Sequence, residues 1–222
     1  MSTEPPRRRP GPAPRLSREL IADAAIAVGF TELTLASVAE RLSATHAALY
    51  RHVTDRDDLV VAAVERLVGG LPQAPESGDW REVLEAGAWA LWRMYADNPG
   101  VDQVLCAIPA AREVVIGHTV SLIRRLCAIG FDPGYAVLAA DIVVDFAKSS
   151  GGTAGLVHAA SAAEIRAALA RASADQAENE LLGGASGALS RDHRPWAARK
   201  LAVVLDGIAA NTPPTQEKTS VK

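Results

Sequence analysis

The stretch from residue 34 to residue 59, TLASVAERLSATHAALYRHVTDRDDL, concentrates side chains suited to contact a polyanion. Leu35, Val38, Ala39 and Leu42 recur at helical spacing behind Thr34, a residue type that caps helices. After a break at Ser43 and Ala44, Thr45 can cap a second short helix running through Leu49 to about His52. Two short helices joined this closely are what a helix-turn-helix requires, and its second helix offers exposed N-terminal residues to the major groove of double-stranded DNA. Val38, Ala39, Leu42, Ala48 and Leu49 fall inward, leaving Ser37, His46, Ala47, Tyr50 and Arg51 outward. Arg15, Tyr50, His52 and Arg56 suit phosphates, which set register rather than sequence. His46, Ala47 and Arg51 suit base edges, the alanine against a thymine methyl and the arginine against guanine. A helical hairpin inside any bundle shows the same periodicity.

A second group lies further along. Trp89, Trp92, Arg93 and Tyr95 share one predicted helix, with His118, Asp141 and Asp145 as polar residues on two others. Aromatic walls with a few polar groups compose small-molecule sites, yet aromatics at helical spacing also build cores. Asp141 and Asp145 stand four apart on an otherwise apolar helix, where they serve either a pocket or a salt bridge across a dimer interface. No G-x-S-x-G, P-loop or H-E-x-x-H occurs, so neither an enzyme nor a metal site nor a cofactor is expected. Cys106 and Cys127 leave a thiol-based redox sensor as an alternative, with Arg124 and Arg125 the cations near Cys127.

The elements that must position these groups read as all-α. Of the 222 residues, 49% are hydrophobic and only 5% aromatic, with alanine and leucine abundant and no strand alternation. Ser17 opens a first helix ending near Gly29, and Thr54 with Asp57 has capping-box spacing ahead of a long amphipathic helix to Val68. Residues 69–78, GGLPQAPESG, form the clearest linker. Beyond it, Asp79 caps a helix broken at Asn98-Pro99-Gly100, and a short segment leads to Pro109 and a helix over about 110–129. Asp132-Pro133 opens another that Gly151-Gly152 should stop near Ser150. A helix over 161–182 and a last one over 195–210 complete the series. The expected organisation is a disordered basic arm (1–15), a three-helix helix-turn-helix head (16–68), the linker, a helical ligand-binding and dimerisation domain (79–211) and a disordered tail (212–222). Five arginines face one glutamate in residues 1–18, whereas residues 69–222 carry the whole net charge of −3. No apolar run approaches the ~18–20 residues that span a bilayer. A cytoplasmic protein without a membrane partner is expected.

Ile21-Ala-Asp-Ala-Ala, Thr34 with Val38-Ala39-Glu40-Arg41, Leu49-Tyr50-Arg51-His52 and Arg56-Asp57-Asp58-Leu59 together resemble the tetracycline-repressor (TetR) family of bacterial regulators. The resemblance implies that Tyr50 and His52 touch DNA phosphates, that Arg56 is the basic residue opening the following helix, and that Thr45 caps the recognition helix. It also implies a homodimeric repressor on a pseudo-palindromic operator, released by a small-molecule inducer such as an antibiotic or other secondary metabolite. Release would be a population shift toward a conformation whose heads no longer match the operator. Helices 133–150 and 195–210 would pair across the dimer. The alternative class is a helical protein that binds no DNA. The chain departs from the family pattern at Ser43, where a turn glycine is usual, at Ala47, where a glycine is common, and in its short Gly29–Leu33 connection.

Overall fold

The structure, a computed structural model, describes residues 16–73, 75, 78–159, 164, 167, 171 and 193–211. The expected basic arm with Arg15, most of the expected helix over 161–182 and the expected tail lie outside the described residues. Among the described residues there is no strand, and the architecture is all-α as expected. The helices are α1 (Arg18–Val28), α2 (Leu35–Arg41), α3 (His46–Leu49), α4 (Arg56–Gly69), α5 (Trp80–Asp97), α6 (Val101–Ala107), α7 (Pro109–Ala128), α8 (Pro133–Ala159) and α9 (Arg194–Asn211).

Local chemistry places most of the boundaries. Ser17 accepts from the Leu20 amide to start α1, and Gly29, at φ 91°, ends it. Asp79 accepts from Glu82 N at the start of α5, as its spacing predicts. Pro109 occupies the first turn of α7, where a missing N–H costs nothing, and the chain bends by 108° between α6 and α7. At α4 the cap falls one residue later than predicted. Asp55, not Thr54, accepts from the Asp58 amide, at 2.8 Å. Thr54 N instead donates to the Asp58 carboxylate, which also receives Arg18, so that aspartate draws Thr54 outside the helix.

The largest departure is α8, which continues through Gly151 and Gly152 to Ala159 instead of stopping near Ser150. Two glycines normally weaken a helix by about 1 kcal/mol each. Here the first of them lets two helices meet. A Cβ on Gly151 would sit 2.6 Å from the carbonyl oxygen of Trp92 and 2.9 Å from Cβ of Tyr95. The α5–α8 packing therefore supports the helix across a sequence that reads as a stop.

One apolar core runs from the head into the body. Ile21, Leu49, Leu59 and Val60 in the head, and Leu84, Leu91, Leu126, Leu201 and Leu205 in the body, are essentially inaccessible to solvent. Helix α4 packs on both α1 and α7. A second contact lies at Gly100, at φ 86°, where a Cβ would stand 3.0 Å from Thr31 Cγ2 and 3.4 Å from Phe30 Cβ. The corner leading into α6 thus rests on the loop between α1 and α2.

Candidate nucleic-acid interface and effector cavity

The helix-turn-helix is held by reciprocal caps and one long-range arginine. Thr34 N donates to Ser37 Oγ and Ser37 N donates to Thr34 Oγ1, each at 3.0 Å, so both backbone donors at the start of α2 are satisfied. The Ser37 hydroxyl is engaged in this box and has further contacts with the Thr34 and Glu32 carbonyls. The turn crosses at Ser43, whose φ of 49° is left-handed. A non-glycine residue there costs roughly 1 kcal/mol. Thr45 accepts from Ala48 N at 3.2 Å and starts α3.

Helix α3 is shorter than predicted. It stops at Leu49, and residues 50–52 form turns. Val53 must turn inward, where it is 1% exposed, and the His52 carbonyl accepts from Arg18 Nη1 at 3.1 Å. Arg18 Nη2 also donates to Asp58 Oδ1 at 2.6 Å. This bond holds the Asp58 carboxyl below its ordinary pKa and raises that of the guanidinium. One arginine on α1 thereby pins the end of the recognition helix and the start of α4. Sequence reasoning counted Arg18 only as part of a basic arm. A partner forty residues away leaves no local spacing signal.

Of the five residues expected outward, four are exposed and Ser37 is half-buried. His46, Ala47, Tyr50 and Arg51 are exposed, Tyr50 by 53%, and His52 is half-buried. His46 and Ala47 project from α3 and Tyr50, Arg51 and His52 from the turns that follow it, above the fully buried Leu49. Thr45 is exposed, but its hydroxyl serves the cap. Arg56, half-exposed, donates from Nε to the Leu33 carbonyl at 3.2 Å and lies 3.8 Å from Asp57. Its side chain bridges α4 to the loop before α2 while leaving the guanidinium edge accessible.

The residues expected to line an effector pocket are not gathered around one cavity. Trp92 is buried and edge-on to half-buried Trp89, and its indole N–H has no hydrogen-bond partner among the described residues. The Arg194 guanidinium lies 5.2 Å from the Trp89 ring centroid, and Arg93 is exposed with Nε donating to the Trp89 carbonyl. His118 borders a small void of about 200 Å³ between α5 and α7, and burial lowers its pKa. Asp141 and Asp145 are both exposed, and neither has an ion pair with another described residue. Of the seven, only Asp145 lines a groove of about 1060 Å³ bounded by α6, α8 and α9. Exposed Cys106 has its sulfur 3.9 Å from Lys148 Nζ, and Cys127 is half-buried. Among the described residues no cluster of histidine, cysteine and carboxylate groups could hold a metal ion, and no single helix is long and apolar enough to cross a membrane.

Comparison with known proteins supports the fold reading. No family model matches the chain. An "HTH-type transcriptional regulator" of Saccharopolyspora erythraea is 28% identical over 131 residues, which is 57% of this chain. That match spans only 56% of the relative's length. A possible TetR family transcriptional regulator from Streptomyces coelicolor A3(2) superimposes with a TM-score of 0.70 at 22% identity, over 87% of this chain and 99% of that one. The Streptomyces coelicolor TetR family protein ActR in complex with actinorhodin gives a TM-score of 0.63 at 20% identity, over 90% and 98% of the two chains. The helix-turn-helix geometry and these likenesses agree: the chain has the fold of the TetR family of transcriptional regulators.

Proposed function

We propose that the protein is a homodimeric transcriptional repressor that binds a pseudo-palindromic operator and is released by a small molecule. The observation that carries this reading is the exposed set His46, Ala47, Tyr50 and Arg51 on a short helix and the turn that follows it, both locked by the Thr45 cap, Leu49 and Arg18. A rigid, exposed short helix with small and basic residues is suited to the major groove, where a small residue permits close approach to base edges. His52 and Arg56, at the end of α3 and the start of α4, are placed to take phosphates together with Tyr50, and Arg15 would add another contact. Thr45 and Ser37 support the unit through their caps, with Ser37 on the side of α2 facing the backbone.

The head corresponds to residues 16–68 and the effector and dimerisation body to 79–211. The exposed apolar residues Tyr135, Val137 and Leu138 on α8 suit pairing with a symmetry mate. The solved ActR complex contains actinorhodin, which supports a small-molecule effector for this chain as well. Two features support communication between effector and head: the α4–α7 packing and the contact of Gly100 with Phe30 and Thr31. A ligand that favours one position of α6 or α7 would bias the spacing of the two heads. A gel shift with DNA upstream of the protein's own gene, repeated over a salt series, tests the reading. Salt-sensitive, sequence-preferring retardation is expected. Absence of any shift at low salt would favour a helical protein that binds no DNA.

A further inference from the structure

The groove between α6, α8 and α9 has a volume of about 1060 Å³, about three times that of the void between α4 and α5, 330 Å³. Its walls are chemically divided. Ile142, Phe146 and Val204 supply an apolar floor, and Val203, 73% exposed, stands at the α9 edge. Asp102 and Asp145 lie on the α6 and α8 side together with Lys148, whereas Arg199 and Lys200 lie on α9 with no carboxylate of that helix among the groove residues. The Arg199 guanidinium is held 5.6 Å from the Trp196 ring centroid, a cation–π contact that orients it without neutralising it. Neither Arg199 nor Lys200 forms an ion pair with another described residue.

A second observation points independently to a ligand. Ser150 lines the same groove, is 7% exposed, and its hydroxyl has no hydrogen-bond partner among the described residues. A buried hydroxyl left unsatisfied carries a desolvation cost that a bound polar atom would recover. The cationic α9 wall is complementary to an acid, and the apolar floor is complementary to a flat ring system.

We propose that this groove is the effector site and that it takes an aromatic acid, its carboxylate or sulfonate against Arg199 and Lys200 and a polar ring atom hydrogen-bonded to the Ser150 hydroxyl. This rests on the reading of the protein as effector-responsive, and it moves the site away from the space between α5, α7 and α8. The tryptophans of α5 then serve the core, with Trp89 packed under Arg194. On the opposite wall Asp102 and Asp145 outnumber Lys148, which disfavours an acid bound in the reversed orientation.

The test uses the full-length protein and two fluorescent probes with the same ring skeleton, 8-anilinonaphthalene-1-sulfonate and its neutral analogue N-phenyl-1-naphthylamine. The sulfonate should bind saturably at one site per chain, and the neutral probe roughly tenfold more weakly, the size expected for a charge-assisted contact. Arg199→Gln combined with Lys200→Gln should weaken the sulfonate about five- to tenfold and leave the neutral probe unchanged. Val203→Trp, at an exposed position that leaves the core intact, should fill the groove and abolish both. Equal affinity of the two probes, or sulfonate binding that survives either variant, would overturn the proposal. So would conversion of the dimer to monomer by Val203→Trp under light scattering, because the groove would then be a seam between copies. Operator binding by the probe-free protein is read in parallel. Its loss would refute the regulator reading alone, whereas intact operator binding without a saturable probe site would refute the groove alone.

Discussion

Gly151 and Gly152 are adjacent in α8, yet alanine should act in opposite directions at the two positions. Interior helix propensity favours alanine over glycine by ~0.8–1.0 kcal/mol. At Gly152 a Cβ meets nothing within 4 Å, so Gly152→Ala should realise that gain. At Gly151 the same Cβ lands 2.6 Å from the Trp92 carbonyl oxygen, a backbone atom that no rotamer change removes. To reach the 3.4 Å at which ordinary contact begins, α5 and α8 must separate by about 0.8 Å along that line. Overpacking of this kind costs roughly 1–3 kcal/mol and offsets or exceeds the propensity gain. The two variants should therefore differ by about 2 kcal/mol, or roughly 4–8 °C in melting midpoint for a chain of this size. Thermal and urea melts followed by far-ultraviolet circular dichroism, at one fixed protein concentration, measure it. Equal stabilisation by both substitutions would refute the close α5–α8 contact and, with it, the explanation for the helix continuing past Ser150.

Other expectations are narrower. Ser43→Gly should stabilise the head by about 1 kcal/mol, since it relieves a left-handed turn at φ 49°, and an unchanged or lower urea midpoint would contradict the strain. Tyr50→Phe and Arg56→Ala should weaken binding to all DNA sequences alike, and Arg56→Ala should lower the salt slope by about one unit. Unchanged affinity in both variants would remove the phosphate assignment. Leu138→Arg should convert the proposed dimer to monomer in light scattering, and a persistent dimer would place the seam elsewhere. Burial lowers the His118 pKa below the ordinary value, so the unfolded chain binds that proton more readily and stability falls as pH drops below about 6.5. His118→Gln should flatten the stability profile between roughly pH 7 and pH 5, and an unaltered profile would show that burial does not perturb this group.

Much of the head was legible because its signals are local. Thr34, Thr45 and Ser17 cap the helices they precede, and Leu49 points inward while Tyr50 points outward, all from spacing along a few turns. The same holds for Asp79, Pro109 and Gly29 as boundary residues. The amino-acid sequence by itself determined an all-α chain, a helix-turn-helix and the exposed residues of its second helix. What it did not determine depends on residues far apart in the chain. Whether Gly151 stops a helix or lets α5 approach it is decided by Trp92, and where α3 ends is decided partly by Arg18 and Asp58. The residues expected to line an effector pocket show the limit most clearly. Trp89, Trp92 and Asp141 look alike as pocket candidates in sequence, because helical spacing tells which residues share a face but not what that face meets. Only the packing of α6, α8 and α9 gathers Asp145, Ser150 and Arg199 around one groove, since a cavity is the space left between elements and no single element encodes it.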